Sequence, residues 1–134
     1  QLTADSQSKD SVIFLSSVSD EELVKLYRES KVFVLTSISK SVHFEGFGLV
    51  YLEANACGLP VIGSGDSGAE DAVVDGRTGI LVPQNDVEAT ARAMRTVLEN
   101  KELWQKLSEN GLVWAREHDW AEIIEKYIHI YRET

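Results

Sequence analysis

The sequence predicts an α/β fold, a three-layer sandwich with a mainly parallel sheet, and three observations carry that expectation. Short runs rich in β-branched residues alternate with segments of helical period. Helix start and stop signals fall in the gaps between those runs. The repeated succession of strand and helix favours parallel strands joined by right-handed crossovers.

Taken in order, the first predicted strand is Val-Ile-Phe-Leu at 12–15. Ser19 and Glu22 then have the spacing of a capping box, which satisfies free amides at a helix start, and Leu23, Leu26 and Tyr27 share one face of the helix that follows. A second strand is expected at 32–35 and a second helix at 46–57, stopped by Gly58 and by Pro60, which cannot continue it. A third strand follows at 60–62. Asp75 and Gly76 mark a tight turn before a fourth strand at 79–82. Asn85, with Glu88 three residues on, is expected to cap a helix carrying Val87, Ala91, Met94 and Leu98. In the tail, Leu103, Trp104 and Leu107 follow one helical pattern. Asp119 is expected to cap a last helix presenting Trp120, Ile123, Ile124, Tyr127 and Tyr131, and both pieces should pack onto the domain. The tryptophans, Trp104, Trp114 and Trp120, are read as filling the interface between helix and sheet. Four strands are few for a doubly wound domain, and the chain opens in mid-pattern, so the expectation is a single domain over 1–134 truncated at its N-terminus.

Composition narrows the function. The chain has 134 residues, 43% hydrophobic and 26% charged, as expected of one globular domain with a real core. Thirteen basic against 22 acidic residues give a net charge of −9, which would repel a nucleic-acid backbone or an anionic bilayer. Nucleic acid is therefore not an expected partner. No apolar run approaches the roughly 20 residues of a membrane span, and the polar start lacks signal-peptide blocks, so the expected localisation is cytoplasmic, with a longer parent at most peripheral to a membrane. Cys57 is the only cysteine, which excludes a disulfide framework and suggests a small buried residue.

The chemically informative run is Glu45-Gly-Phe-Gly-Leu-Val-Tyr-Leu-Glu53-Ala-Asn-Ala-Cys-Gly-Leu-Pro-Val-Ile62. Gly46 and Gly48 sit where a strand should hand over to a helix. Free amides at a helix N-terminus, in a loop thinned by glycine, let an anion such as a diphosphate approach the positive end of the helix dipole. The same glycines also suit a purely structural turn. Glu45 and Glu53 are separated by seven residues, about 12 Å along a continuous helix and about 80° apart around it. They could hold the two ends of one ligand, hydroxyls at each carboxylate and the diphosphate on the amides between. Equally, Glu45 caps the helix and Glu53 is a solvated helix-former. Asp66 and Ser67 follow the third strand at its carboxyl end, where open α/β sheets place ligands. Arg77 in its exposed turn and His43 in its loop are read as solvated.

Two glutamates flanking seven residues, followed by Ala-Asn-Ala-Cys-Gly-Leu-Pro-Val, resemble the signature of family 4 retaining glycosyltransferases of the GT-B fold. The resemblance runs on through the stretch from Ser67 to Pro83 and to His118-Asp-Trp120, and covers essentially the whole chain from Val12. It implies a Rossmann-like C-terminal domain that binds a nucleotide sugar, with Glu45 catalytic beside the donor sugar, Glu53 on the ribose hydroxyls, and Gly46, Phe47, Gly48 and Leu49 around the diphosphate. It implies a same-face attack on an oxocarbenium-like centre, with no metal and no cofactor beyond the donor substrate. Two departures stand out: Ser67-Gly-Ala-Glu-Asp71 replaces the family's Gly-Gly-x-Pro-Glu, and the link at 37–43 is longer than usual. The family's phosphate-clamping Gly-Arg segment and lysine, and its acceptor-binding N-terminal domain, are not in this sequence, so transfer by this chain alone is not expected. In the family's strand order the missing strands lie between the first two predicted here, so those two must pair anew, recruit another chain or leave an exposed sheet edge, which invites self-association. The rival readings are a sugar-nucleotide epimerase, which lacks the spaced glutamates, and a non-catalytic α/β binding or oligomerisation module.

Overall fold

The computed structural model describes residues 11–38 and 46–133. The elements are α1 (Asp20–Glu29), β1 (Phe33–Leu35), α2 (Leu49–Ala56), β2 (Val61–Ser64), α3 (Ala69–Ala72), β3 (Gly79–Val82), α4 (Val87–Glu99), α5 (Lys101–Glu117) and α6 (Trp120–Glu133). The strands form a parallel sheet in the order β1-β2-β3, with Phe33 opposite Val61 and Val61 opposite Gly79.

Strand alternation sorts the side chains into two cores. Phe33, Leu35, Val61 and Leu81 join Tyr27 of α1, Tyr51, Leu52 and Ala54 of α2, and Ala69 and Ala72 of α3 on one face. Val34, Ile62, Ile80 and Val82 meet Ala93 and Val97 of α4 and Leu103, Trp104 and Leu107 of α5 on the other. Helix α5 serves both sides, because Trp114 near its end packs against the first core. The expected three layers are therefore present, built on a parallel sheet.

The local signals for α1 hold in detail. The Ser19 hydroxyl accepts from the Glu22 amide at 3.3 Å, and the Glu22 carboxylate accepts from the Ser19 amide at 2.9 Å. The Ser19 amide, and after it the Ser19 hydroxyl, which donates to the same carboxylate at 3.1 Å, hold the Glu22 carboxyl below its usual pKa. Gly58 supplies the expected left-handed stop after α2, with φ +74°, and β3 has the predicted bounds.

Five expectations are corrected. Residues 12–15 form no strand: Ile13 is 83% and Phe14 78% exposed, and β1 pairs only with β2 among the described strands. A β-branched run becomes a strand only beside a ladder partner, and this one has none among the described residues. The second helix starts at Leu49 rather than Gly46, because Gly48 takes a left-handed conformation, φ 75° and ψ 54°, that a helix cannot include. Asp86, not Asn85, caps α4, its carboxylate accepting from the Ala89 amide at 2.7 Å, while Asn85 turns the chain with φ 60°. Helix α6 has no buried residue. Trp120 is 73% exposed, and Ile124, Tyr127 and Tyr131 also remain exposed, since no described surface lies against the full length of their stripe. Cys57 is half-buried rather than buried, at the C-cap of α2. The Asp119 signal holds, its carboxylate accepting from the Ala121 amide at 2.9 Å. No described helix is long and apolar enough to cross a membrane.

Candidate functional site

In a parallel sheet all strands end on the same edge, and here that edge gathers residues 36–38 after β1, 65–68 after β2 and 83–86 after β3. Helix α2 also begins there. Its entry, Gly46 to Leu49, contains three differently placed residues: Gly48 is buried, Phe47 is half-buried with its ring against the first core, and Leu49 is 58% exposed. Phe47 thus anchors the loop by its side chain, and only its backbone remains to be offered to a ligand.

The start of α2 differs from those of the other long helices. Ser19, Asp86 and Asn100 close the starts of α1, α4 and α5 with side-chain hydrogen bonds. Gly48 has no side chain to do so, and the first turn of α2 carries no acidic residue. Among the described residues no side chain caps its leading amides, whose partial positive charge lies at the carboxyl edge of the sheet. Glu45, the expected catalytic carboxylate, and His43 lie outside the described residues.

Glu53 sits five residues beyond Gly48, about 7.5 Å down the helix axis at the usual rise. It is exposed, and the Tyr27 hydroxyl of α1 donates to its Oε2 at 3.3 Å. Burial first, and then the charge of Glu53, raise the Tyr27 pKa above its ordinary value.

The loop after β2 is held by side chains around its backbone. Asp66 has φ 52°, in the left-handed region that Asp tolerates better than most residues. Its amide donates to Glu70 Oε1 at 2.9 Å, and Gln84 Nε2 donates to the Gly65 and Asp66 carbonyls at 3.0 and 2.8 Å. The Asp66 side chain is left at the exposed rim. Ser67 is less available: its hydroxyl donates to the Ser64 carbonyl at 2.7 Å and accepts from the Ala69 amide at 3.2 Å, so its main task is to turn the chain into α3. Glu70 stands where the resembling family has proline, and its bond to Asp66 holds the turn by other means.

A cleft of about 290 Å³ opens beside the α2 start between Phe47, Leu49 and Leu52 and the α6 residues Trp120, Ile123 and Tyr127. Trp104 and Trp114 are half-buried and each donates its indole N–H to a backbone carbonyl, of Lys31 at 2.6 Å and of Ala72 at 2.9 Å, as the interface reading expected. Arg77 is exposed.

Sequence reasoning missed Tyr27 and Gln84 as parts of this rim. Tyr27 was legible only as a member of a helix face, and Gln84 carried no signal, because both act on residues far away in the chain.

With this geometry in view, comparison with known proteins is decisive. The family described as "Glycosyl transferases group 1" matches residues 1–114. The chain belongs to this family. It is similar to the D-inositol 3-phosphate glycosyltransferase of Saccharomonospora viridis, 36% identical over 121 residues, covering 90% of this chain and 27% of that protein. It is also similar to the GDP-mannose-dependent alpha-(1-6)-phosphatidylinositol monomannoside mannosyltransferase of Mycolicibacterium smegmatis, 32% identical over 86% of this chain and 31% of the relative. Among solved structures, the sucrose-phosphate synthase of Thermosynechococcus elongatus superposes with a TM-score of 0.80 at 34% identity, over 92% of this chain and 30% of that one. The chain thus spans under a third of the length of the family members it matches here, and its Rossmann-like architecture is theirs.

Proposed function

We propose that this chain is the donor-binding, C-terminal part of a retaining glycosyltransferase that moves a sugar from a nucleoside diphosphate to an acceptor. The observation that carries the reading is the start of α2: a helix N-terminus without a side-chain cap among the described residues, at the carboxyl edge of a parallel sheet and inside the family's paired-glutamate motif. The leading amides of α2 take the diphosphate, Glu53 takes the ribose hydroxyls, and Glu45 stands beside the donor sugar. Amides fixed by a helix meet the charge that grows on the leaving diphosphate without reorganising, which suits transfer driven by leaving-group stabilisation. Asp66 meets polar groups of the sugar, a role supported by its exposed side chain on a turn locked by Glu70 and Gln84. The reading calls for no resident cofactor, and the acceptor is bound by the part of the parent that this chain lacks.

Calorimetric titration with UDP, GDP and ADP, at low salt and millimolar ligand, tests it. One nucleotide should bind selectively, and Glu53→Ala should weaken it by roughly tenfold or more, the worth of a hydrogen bond to a charged group. Silence from a folded sample overturns the reading for this chain. The one-sided pairing of β1 among the described strands favours a second reading, a self-associating module, which a folded, silent and dimeric sample would support.

A further inference from the structure

Glu53 is an exposed carboxylate on a flexible stem, and such a side chain samples several rotamers unless something fixes it. The structure supplies a restraint from another element. Tyr27 is only 8% exposed, and its hydroxyl reaches Glu53 Oε2 across 26 positions of sequence. Its ring meets Phe33 of β1 edge to face, centroids 5.7 Å apart, and Phe33 meets Tyr51 of α2 in the same way at 5.8 Å. Tyr51 is fixed in turn by its hydroxyl, which donates to the Leu35 carbonyl at 2.6 Å. Three aromatic rings thus tie α1, β1 and α2 together and set the Tyr27 hydroxyl beside Glu53.

A phenylalanine would fill the same core volume, and a buried hydroxyl costs stability unless it finds a partner. The partner here is a carboxylate on the helix that opens the site. A phenol keeps its proton across the neutral range, the upward shift at Tyr27 only widening that margin, so toward the Glu53 carboxylate its hydroxyl acts as a donor. Glu53 Oε1 has no hydrogen-bond partner among the described residues.

We infer that Tyr27 is a positioning residue for the donor: it holds one oxygen of the Glu53 carboxylate so that the other is free to accept from the ribose hydroxyls of a nucleoside diphosphate. The inference rests on the proposed role of Glu53. The contact at 3.3 Å is long for a hydroxyl on a carboxylate, as such bonds often are before a ligand tightens the site.

The test is calorimetry and thermal melting of the chain and its Tyr27→Phe, Glu53→Gln and doubly substituted variants. The probes are UDP, GDP and ADP, each beside its 2′-deoxy counterpart. The native chain should prefer the ribose form by about fivefold or more, a difference of about 1 kcal/mol. Glu53→Gln should abolish that preference and Tyr27→Phe should cut it by at least about half, with the double variant no worse than Glu53→Gln alone. A tyrosine that merely fills the core would change the melting temperature and leave the ratio of the two affinities untouched. If Tyr27→Phe keeps the preference while Glu53→Gln loses it, the inference falls and the proposed function stands. If the native chain binds both sugars equally, the ribose role of Glu53 falls and the inference with it, while diphosphate binding survives. No binding by a folded native chain overturns both.

Discussion

At the carboxyl edge of the sheet Gly48, Asp66 and Asn85 turn with φ of 75°, 52° and 60°, and the start of α2 has no side-chain cap among the described residues. At the amino edge the same kinds of turn are locked from within. Asn55, wholly buried at the end of α2, donates to the Leu59 and Thr78 carbonyls at 3.1 and 3.3 Å, and Ser108 of α5 donates to the Gly58 carbonyl at 2.6 Å. Space there is as tightly used. A Cβ on Gly79 would lie 2.5 Å from Val61, and one on Gly111 would lie 2.8 Å from the Asn55 amide. The contrast teaches that the Glu45 to Ile62 stretch has two tasks. Its first half, from Gly46 on, leaves the leading amides of α2 without a side-chain cap among the described residues, and its second half, through Asn55 and Gly58, fastens α2 to β2, β3 and α5 so that the first half stays where it is.

The contrast can be broken from the amino edge. Gly79→Ala forces a methyl into the Val61 backbone and the Val73 side chain, and should destabilise the fold by about 3 kcal/mol, read as a fall in the urea midpoint. Next in size, Asn55→Ala strips the Leu59 and Thr78 carbonyls of a buried partner and should cost about 2 kcal/mol. Gly111→Ala should cost about 1 to 2 kcal/mol alone and much less in the Asn55→Ala background, because the atoms that a new methyl would strike belong chiefly to the Asn55 side chain. A full additive cost in that double variant would show that α5 and α2 are not coupled through this contact. The carboxyl edge should respond weakly and in the other direction. Asp66→Gly relieves a left-handed residue and should change stability by no more than about 0.5 kcal/mol, with a gain expected in thermal melting. A large loss would mean that the Asp66 side chain is structural rather than reserved for a ligand.

Much of the fold was legible because its signals are local. The Ser19 and Glu22 capping box, the Gly58 stop, the bounds of β3 and the parallel order follow from propensity, cap chemistry and period. The misses have a common cause. Residues 12–15 and the α6 stripe were assigned to structure from their composition, yet a strand needs a neighbouring strand and an apolar stripe needs a surface, and neither is encoded in the segment itself. Asn85 and Asp86 both suit a cap, and the choice turned on which residue the β3 exit required to adopt positive φ.

For the site, the sequence by itself determined the chemistry on offer: glycines at the entry of α2, a carboxylate at 53, polar residues after β2, and a paired-glutamate pattern shared with a glycosyltransferase family. Only the tertiary structure decided which of these are free to act. It spent the Ser67 hydroxyl on the α3 turn, turned the Phe47 ring into the core, locked the Asp66 loop with Gln84, and brought Tyr27 to Glu53. The physical reason is that a polar atom's availability depends on whether packing supplies it with another partner, and those partners lie 18 and 26 residues away in the two longest of these bonds.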